Sequence, residues 1–461
     1  MSTVMKHTIN GFAVEGLRSD FARIERILES TPAVDAQFAI PTEEFTARQR
    51  VTSEALHAAG LEVGLAFSNE HYDGDVPYLG GNTNVQIEQV AGIVGRNGFH
   101  IVAGLEGCYL AEQLAMRANT KVSRIEMLKL AGEDYTIGSR RIEEVIEEVA
   151  GAKVQRIGLL SPRMVIPAEL VAYLEKLYGR ENVIDCQEIY HRIRYEKSDN
   201  EMRLMRDANV IADAMLRAML AVLRPGMLET QVAAWGNLVG HLLGAEQMSW
   251  DVMVNANVAN RALIGKALNR PIHAGDYVHL GAAPKRDGLA SCVRRSCIAV
   301  ERPEDVTQDQ AFWLRFIEQA YQVGLDAFRE VAEKNLPACN AEAAIIQYYE
   351  SRAPEVSRRL GRPVDLAKLR PYSAIHNTGY TECQEFFGAV TLHSREPLGQ
   401  QVALMLDVAL RGCHESWNDV IIPGLDYVVV ENSCGKFGAR LEEFNAVPKN
   451  VQHLVGRGLD H

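Results

Sequence analysis

His376 stands at the head of a His-x-x-Gly turn, Ile375-His376-Asn377-Thr378-Gly379. An imidazole fixed at such a turn can take a proton from water or from a thiol near neutral pH. Asp407 closes the apolar run Val402-Ala403-Leu404-Met405-Leu406, and a carboxylate buried there needs a partner. Cys292, Arg294 and Arg295 read as parts of one strand, where alternation sends Arg294 to the face of Cys292 and Arg295 to the other. Arg294 is placed to clamp a substrate carboxylate through two N–H donors, or equally to make a structural ion pair. Glu382 and Glu385, with Cys383 between them, follow His376 as candidates for acid or substrate contact. Free cysteine is among the most buried residue types, so Cys292, Cys297 and Cys383 also read as packing residues. His414 and Glu415 read as a solvated turn.

These side chains need a scaffold. Strand patterns at Glu62 to Phe67, Gly92 to Val102 and Arg156 to Leu160 alternate with helical patterns at Thr42 to Ala58, Arg140 to Ala150 and Ala168 to Tyr178, which makes the first ~190 residues a small α/β domain. A boundary falls at Arg192 to Ser198, giving domains over 1–195 and 196–461. Ser198 and Glu201 have capping-box spacing. Behind them Met202, Met205, Ala208, Ile211 and Met215 form one apolar helix face, which reads as core. Two segments echo each other, Arg224-Pro225-Gly226 with Glu229 and Leu336-Pro337-Ala338 with Glu342, and suggest a duplicated α+β second domain. Its strands are predicted at Tyr277 to Leu280, Val402 to Val408 and Tyr427 to Val430, and its end, Phe444 to His461, as a loop-rich tail.

Composition narrows the setting. A length of 461 residues exceeds one compact core, and 47% hydrophobic with 23% charged residues is ordinary for a soluble enzyme. No window has the apolar length of a membrane span, and Met1 to Asp20 lacks the apolar stretch of a secretory signal. Eight dispersed cysteines without a C-x-x-C pair suit a reducing cytoplasm. The net charge of −12 with scattered basic residues argues against a nucleic-acid partner.

In order and spacing, several segments together resemble the creatinase and aminopeptidase P family. They are the Lys197 to Ala208 helix start, Gly275-Asp276-Tyr277-Val278, the Arg286-Asp287-Gly288 turn, the His376 segment, the strand ending at Asp407 and Val428-Val429-Val430. The resemblance covers nearly the whole chain. It implies an α+β protein, a pita-bread C-terminal catalytic domain preceded by a smaller α/β creatinase-type N-terminal domain. Metal-dependent members of the family hold two metal ions with Asp, Asp, His, Glu and Glu. On that pattern the first Asp falls on Gly281, the second on Cys292, the His on His376 and the first Glu on Asp407. The last Glu falls near Leu425, with Asp426 beside it. Cys383 and Gln384 replace a further family His and Glu, and another family histidine falls on Leu263 or Ile264. The paired-metal site is therefore not expected to form, and no cofactor or metal is expected.

The resemblance brings Cys292, His376 and Asp407 to one place. Three chemistries stay open there: a Cys-His-Asp relay with Cys292 as nucleophile, a mononuclear metal site on the three residues, or His376 acting alone as base on water. Creatinase and the ectoine hydrolases, family members that work without paired metals, imply hydrolysis of a non-peptide C–N bond. The expected substrate is a small, carboxylate-bearing amide, lactam or amidine; creatine itself is disfavoured because Arg294 stands where creatinase holds a guanidinium with glutamate. The resemblance further implies a homodimer in which a partner's N-terminal domain closes the pocket, with Tyr78 and Asn82 as pocket residues. A peptide- or ligand-binding module without catalysis is the non-enzymatic alternative.

Overall fold

The computed structural model describes residues 8–9, 12–86, 88–129, 134, 136–381, 389–450 and 454. Helix Thr42–Ala58 starts behind Pro41 and carries Glu43 and Glu44 in its first turn, where the helix dipole favours negative charge. It packs on a six-stranded mixed sheet ordered Lys121–Arg124, Gly98–Ala103, Val90–Gly95, Val63–Ser68, Ile157–Leu159, Val183–Asp185. Helices Ile142–Ala150 and Ala168–Tyr178 contribute their apolar stripes to the core of this layer. Two of the predicted helices, Thr42–Ala58 and Ala168–Tyr178, keep the bounds read from the sequence. Helix Val14–Ser30 does not join this sheet. Its Ile24 and Ile27 enter the core of the second domain, Arg23 donates to the Ala221 carbonyl, and Asp20 pairs with Arg224 at 3.0 Å.

Helix Gln187–Tyr195 leads into the second domain. Ser198 then caps helix Asp199–Val222: its Oγ accepts from the Glu201 amide at 3.1 Å, and the Glu201 carboxylate accepts from the Ser198 amide at 2.8 Å. Ser198→Ala is expected to cost about 1 kcal/mol of stability, read as a shift of the urea midpoint. Two helix pairs follow the echo seen in the sequence, Asp199–Val222 with Glu229–Leu242 and Gln308–Lys334 with Cys339–Leu360.

These helices cover one face of an antiparallel sheet ordered Met253–Ala256, Tyr277–Ala282, Val293–Ile298, Tyr427–Phe437, Gln401–Arg411, Ile375–Asn377, with Arg440–Glu443 added on Tyr427–Phe437. Val278, Leu280, Leu404, Leu406, Val428 and Val430 point to the helices and are fully buried with them. Burial of each such side chain contributes about 1.5–3 kcal/mol. The alternate residues of the same strands face the other way, and His279, Asp407, Tyr427 and Glu431 among them carry polar groups. Among the described residues no helix is long and apolar enough to cross a membrane.

Candidate functional site

Strand register sets the site. Gly281 lies opposite Arg294, Arg294 opposite Glu431, and Glu431 opposite Asp407, so one row across four strands holds two carboxylates and a guanidinium. In the next row Met405 lies between Ser433 and His376, and Cys292 meets Ser433 through its amide, at 3.1 Å from the Ser433 Oγ. A row on the other side holds His279, Ser296, Val429 and Ala409. Small apolar clusters bound the array: Ala283, Cys292, Met405 and Trp250 at one end, Ala409, Tyr427, Val429, Leu263 and Tyr372 at the other.

Arg294 is the hub. Its Nε donates to Glu431 and its Nη2 to Asp407. Nη2 also donates to the Tyr372 hydroxyl at 2.8 Å, and Nη1 reaches the Leu263 carbonyl at 3.4 Å. Leu263 has φ of +69°, a left-handed conformation rare for a residue with a side chain. Tyr372 in turn donates to Asp407 at 3.0 Å and shares a 2.6 Å hydrogen bond with Tyr427. Burial works against the charge of Arg294, but Asp407 and Glu431 outweigh it and push its pKa further up.

One guanidinium cannot neutralise two carboxylates, and they separate accordingly. Burial, reinforced by the charge of Glu431, raises Asp407 to about 7 against the pull of Arg294. Burial also opposes the charge of Glu431, yet Arg294 and His376 together hold it at about 2. The pair thus offers a proton donor and a fixed anion side by side.

His376 is 21% exposed, against 6% or less for Arg294, Asp407 and Glu431. Its Nε2 faces Glu431 Oε1 at 3.7 Å, and that oxygen has no hydrogen bond among the described residues. Its Nδ1 lies 3.3 Å from the Asn377 carbonyl. Ligand atoms of His376, Asp407 and Glu431 lie within 4.8 Å of one another. Cys292 is fully buried, and its thiol donates to Glu431 Oε2 at 3.5 Å. Its proton thus faces a carboxylate.

Several expectations change. The last carboxylate of the five-ligand pattern is not near Leu425: Leu425 is buried ahead of the Tyr427–Phe437 strand, and Asp426 pairs with Arg261 at 2.8 Å. Glu431, six residues on, faces Asp407 instead. The signal was a lone carboxylate directly after Val428-Val429-Val430, in a strand read as ending at Val430 that continues to Phe437. Arg294 as a clamp for a substrate carboxylate gives way to its alternative, since its Nε and Nη2 bind protein carboxylates. Tyr78 and Asn82 are buried inside this same chain instead of being presented to a partner. Tyr78 packs edge-on against Tyr190 and Tyr380 and lies under the Arg48 guanidinium, while the buried Asn82 amide has no hydrogen-bond partner among the described residues. Glu382, Cys383 and Glu385 lie outside the described residues.

Other candidates fall where simpler readings put them. Cys297 is on the helix-facing side, donating to the Val278 carbonyl. His414 sits in a turn against Asp419 at 3.6 Å. Tyr372, Tyr427 and His279 were not singled out in the sequence. His279 is fully buried with neither ring nitrogen hydrogen-bonded among the described residues, and burial holds it neutral, its pKa well below the usual histidine range.

The paired-metal pattern does not fit these residues. At Gly281 a Cβ would lie 2.5 Å from Met253 Cε and 3.1 Å from Arg294 Cγ, so a side chain there would crowd both the methionine end and the arginine stem. The space between Asp407 and Glu431 is filled by a guanidinium. A dication placed there would meet that charge at contact distance.

Comparison with known proteins agrees with the scaffold. The uncharacterized peptidase YqhT of Bacillus subtilis (strain 168) is 22% identical over 246 residues, 53% of this chain and 64% of that protein, so the match spans under two thirds of the relative's length. The X-Pro aminopeptidase of Thermotoga maritima MSB8 shares the fold with a TM-score of 0.67 at 14% identity, over 88% of this chain and 99% of that one. The N-terminal domain of a FACT complex subunit from Cicer arietinum (chickpea) does so with a TM-score of 0.65 at 9% identity, over 90% and 100%. The profile of metallopeptidase family M24 matches residues 203–443, more than half of the chain. By that match the chain belongs to metallopeptidase family M24.

Proposed function

We propose that this M24 member is a hydrolase that cleaves a C–N bond of a small amide, lactam or amidine without paired metals. The observation that carries this reading is the Arg294 guanidinium lying between Asp407 and Glu431, where the family's metal-binding carboxylates would converge. His376 takes a proton from water, and the Glu431 carboxylate opposite Nε2 stabilises the imidazolium that forms. Asp407, protonated up to about pH 7, returns a proton to the departing nitrogen. Arg294 Nη1, whose one hydrogen bond among the described residues is the 3.4 Å contact to Leu263, is the donor with capacity left for the oxygen anion or nitrogen of the attacked centre. A carboxylate on the substrate loses its clamp, since the other Arg294 nitrogens are committed within the protein.

A second reading, a single metal on His376, Asp407 and Glu431, is favoured by their clustering within 4.8 Å. One experiment divides the two. Purified protein is assayed by mass spectrometry against a panel of amides, lactams and amidines, before and after treatment with a chelator. Turnover unchanged by chelation is expected; loss with chelation and recovery with one equivalent of metal would establish the second reading instead. Cys292→Ser is expected to keep most of the turnover, because water and not the thiol is the nucleophile, and a collapse of rate in that variant would restore the relay.

A further inference from the structure

We infer that Arg294 is the resident cation of this site, fixing Asp407 and Glu431 in place and barring a divalent metal from the His376, Asp407 and Glu431 cluster. Asp407 and Glu431 are buried neighbours in register across two strands, and a pair of carboxylates in that position requires a positive partner. The partner is supplied from the next strand. Arg294 lies opposite Glu431 on one side and Gly281 on the other, so its stem runs over a residue with no side chain. Arg294 Cγ and Cδ sit 3.1 and 3.4 Å from where a Gly281 Cβ would be. The glycine and the arginine are therefore a matched pair: absence of a side chain at 281 leaves room for the arginine stem that carries the guanidinium to the two carboxylates.

The coordination of that guanidinium is complete enough to be a built site. Glu431, Asp407, the Tyr372 hydroxyl and the Leu263 carbonyl receive its donors. Tyr372 then ties Asp407 to Tyr427, so the carboxylate is held from two directions. Arginine stays charged at every pH a protein survives, whereas a bound metal is gained and lost with its concentration. The arrangement keeps the electrostatics of the site independent of metal supply.

The inference rests on the metal-independent part of the proposed function and makes no use of the substrate. Its test is cobalt(II) titration followed by calorimetry and by the visible absorption of the bound ion. Wild-type protein and Arg294→Lys, which keeps the charge, are expected to take up no stoichiometric cobalt. Arg294→Met is expected to bind one equivalent on the order of 10⁶-fold more tightly than wild type, the factor implied by removing a unit charge about 4 Å from a dication. Adding His376→Ala to Arg294→Met should abolish that binding.

Arg294→Met leaves two buried carboxylates facing each other, so its folding is followed by circular dichroism with and without cobalt. A variant that folds only with cobalt supports the inference. A variant that folds yet binds no cobalt, or that stays unfolded with cobalt present, overturns it. Tight cobalt binding by the wild type overturns it as well. The metal-independent reading fails by a different result, loss of turnover on chelation, so the two failures are distinguishable.

Discussion

Turnover of an identified substrate is expected to fall about 10²- to 10⁴-fold in His376→Ala, the usual contribution of a positioned general base. Of His376, Asp407 and Glu431 the imidazole is the partly exposed one, and it faces a carboxylate oxygen that has no hydrogen bond among the described residues. Alanine removes the proton acceptor and leaves the Arg294 hub untouched, so KM should move little while kcat collapses. Wild-type kcat in His376→Ala would remove the imidazole from the chemistry. The pH profile supplies an independent reading. Burial raises Asp407 to about 7, so the proton it donates is present below that pH and absent above it, and kcat of the wild type should decline as pH rises through about 7. Asp407→Asn, which has no acid proton to lose, should be slow at every pH and lack that decline. A decline that persisted unchanged in Asp407→Asn would assign it to another group.

The largest expected loss of stability lies elsewhere, at Asp75. Its carboxylate pairs with Arg194 in the interior and accepts from the Ser161 hydroxyl at 2.5 Å, while Tyr190 donates to its carbonyl at 2.5 Å. Both charged groups are buried, 0% and 2% exposed. Asp75→Ala would leave the Arg194 guanidinium in the interior without its carboxylate, which costs about 3–5 kcal/mol when one member of a buried pair is removed. The expected readout is a large drop of the urea midpoint of the first domain. Arg194 lies on the last turns of the helix Gln187–Tyr195 that leads into the Ser198 cap, so the loss should spread across the domain junction. A cost below about 1 kcal/mol would mean that the pair merely breaks even against its desolvation.

Local patterns carried much of the fold. Thr42–Ala58 was legible because a proline precedes it and acidic residues open it, and Asp199–Val222 because Ser198 and Glu201 sit at capping-box spacing. The M24 scaffold was legible from the order of short segments. The site was legible only in part, because it is assembled by register and not by spacing. Arg294 and Asp407 are 113 residues apart, Arg294 and Glu431 137. Nothing near any of them in the chain states that they meet. A strand register shifted by one residue would turn each to the opposite face, so the pairing is decided by the whole sheet. Glu431 was missed for a related reason. Tyr427 to Val430 is buried on both faces, which leaves no alternation to extend through the strand to its full length at Phe437. The Val14–Ser30 helix falls within residues 1–195 by position alone, although its docking partner lies on the second domain.

That helix has a consequence for how the chain comes off the ribosome. Arg23 and the Ala221 carbonyl it binds are 198 residues apart, and at roughly 5–20 residues per second the segment waits on the order of ten to forty seconds for its seat to be made. During that interval Ile24 and Ile27 have no core to enter, while the sheet built from Val63 to Asp185 can already close behind them. A helix translated early is thus seated only after the whole sheet that follows it has been made, and nascent chains stalled between these two events would carry an open apolar stripe for chaperones to hold.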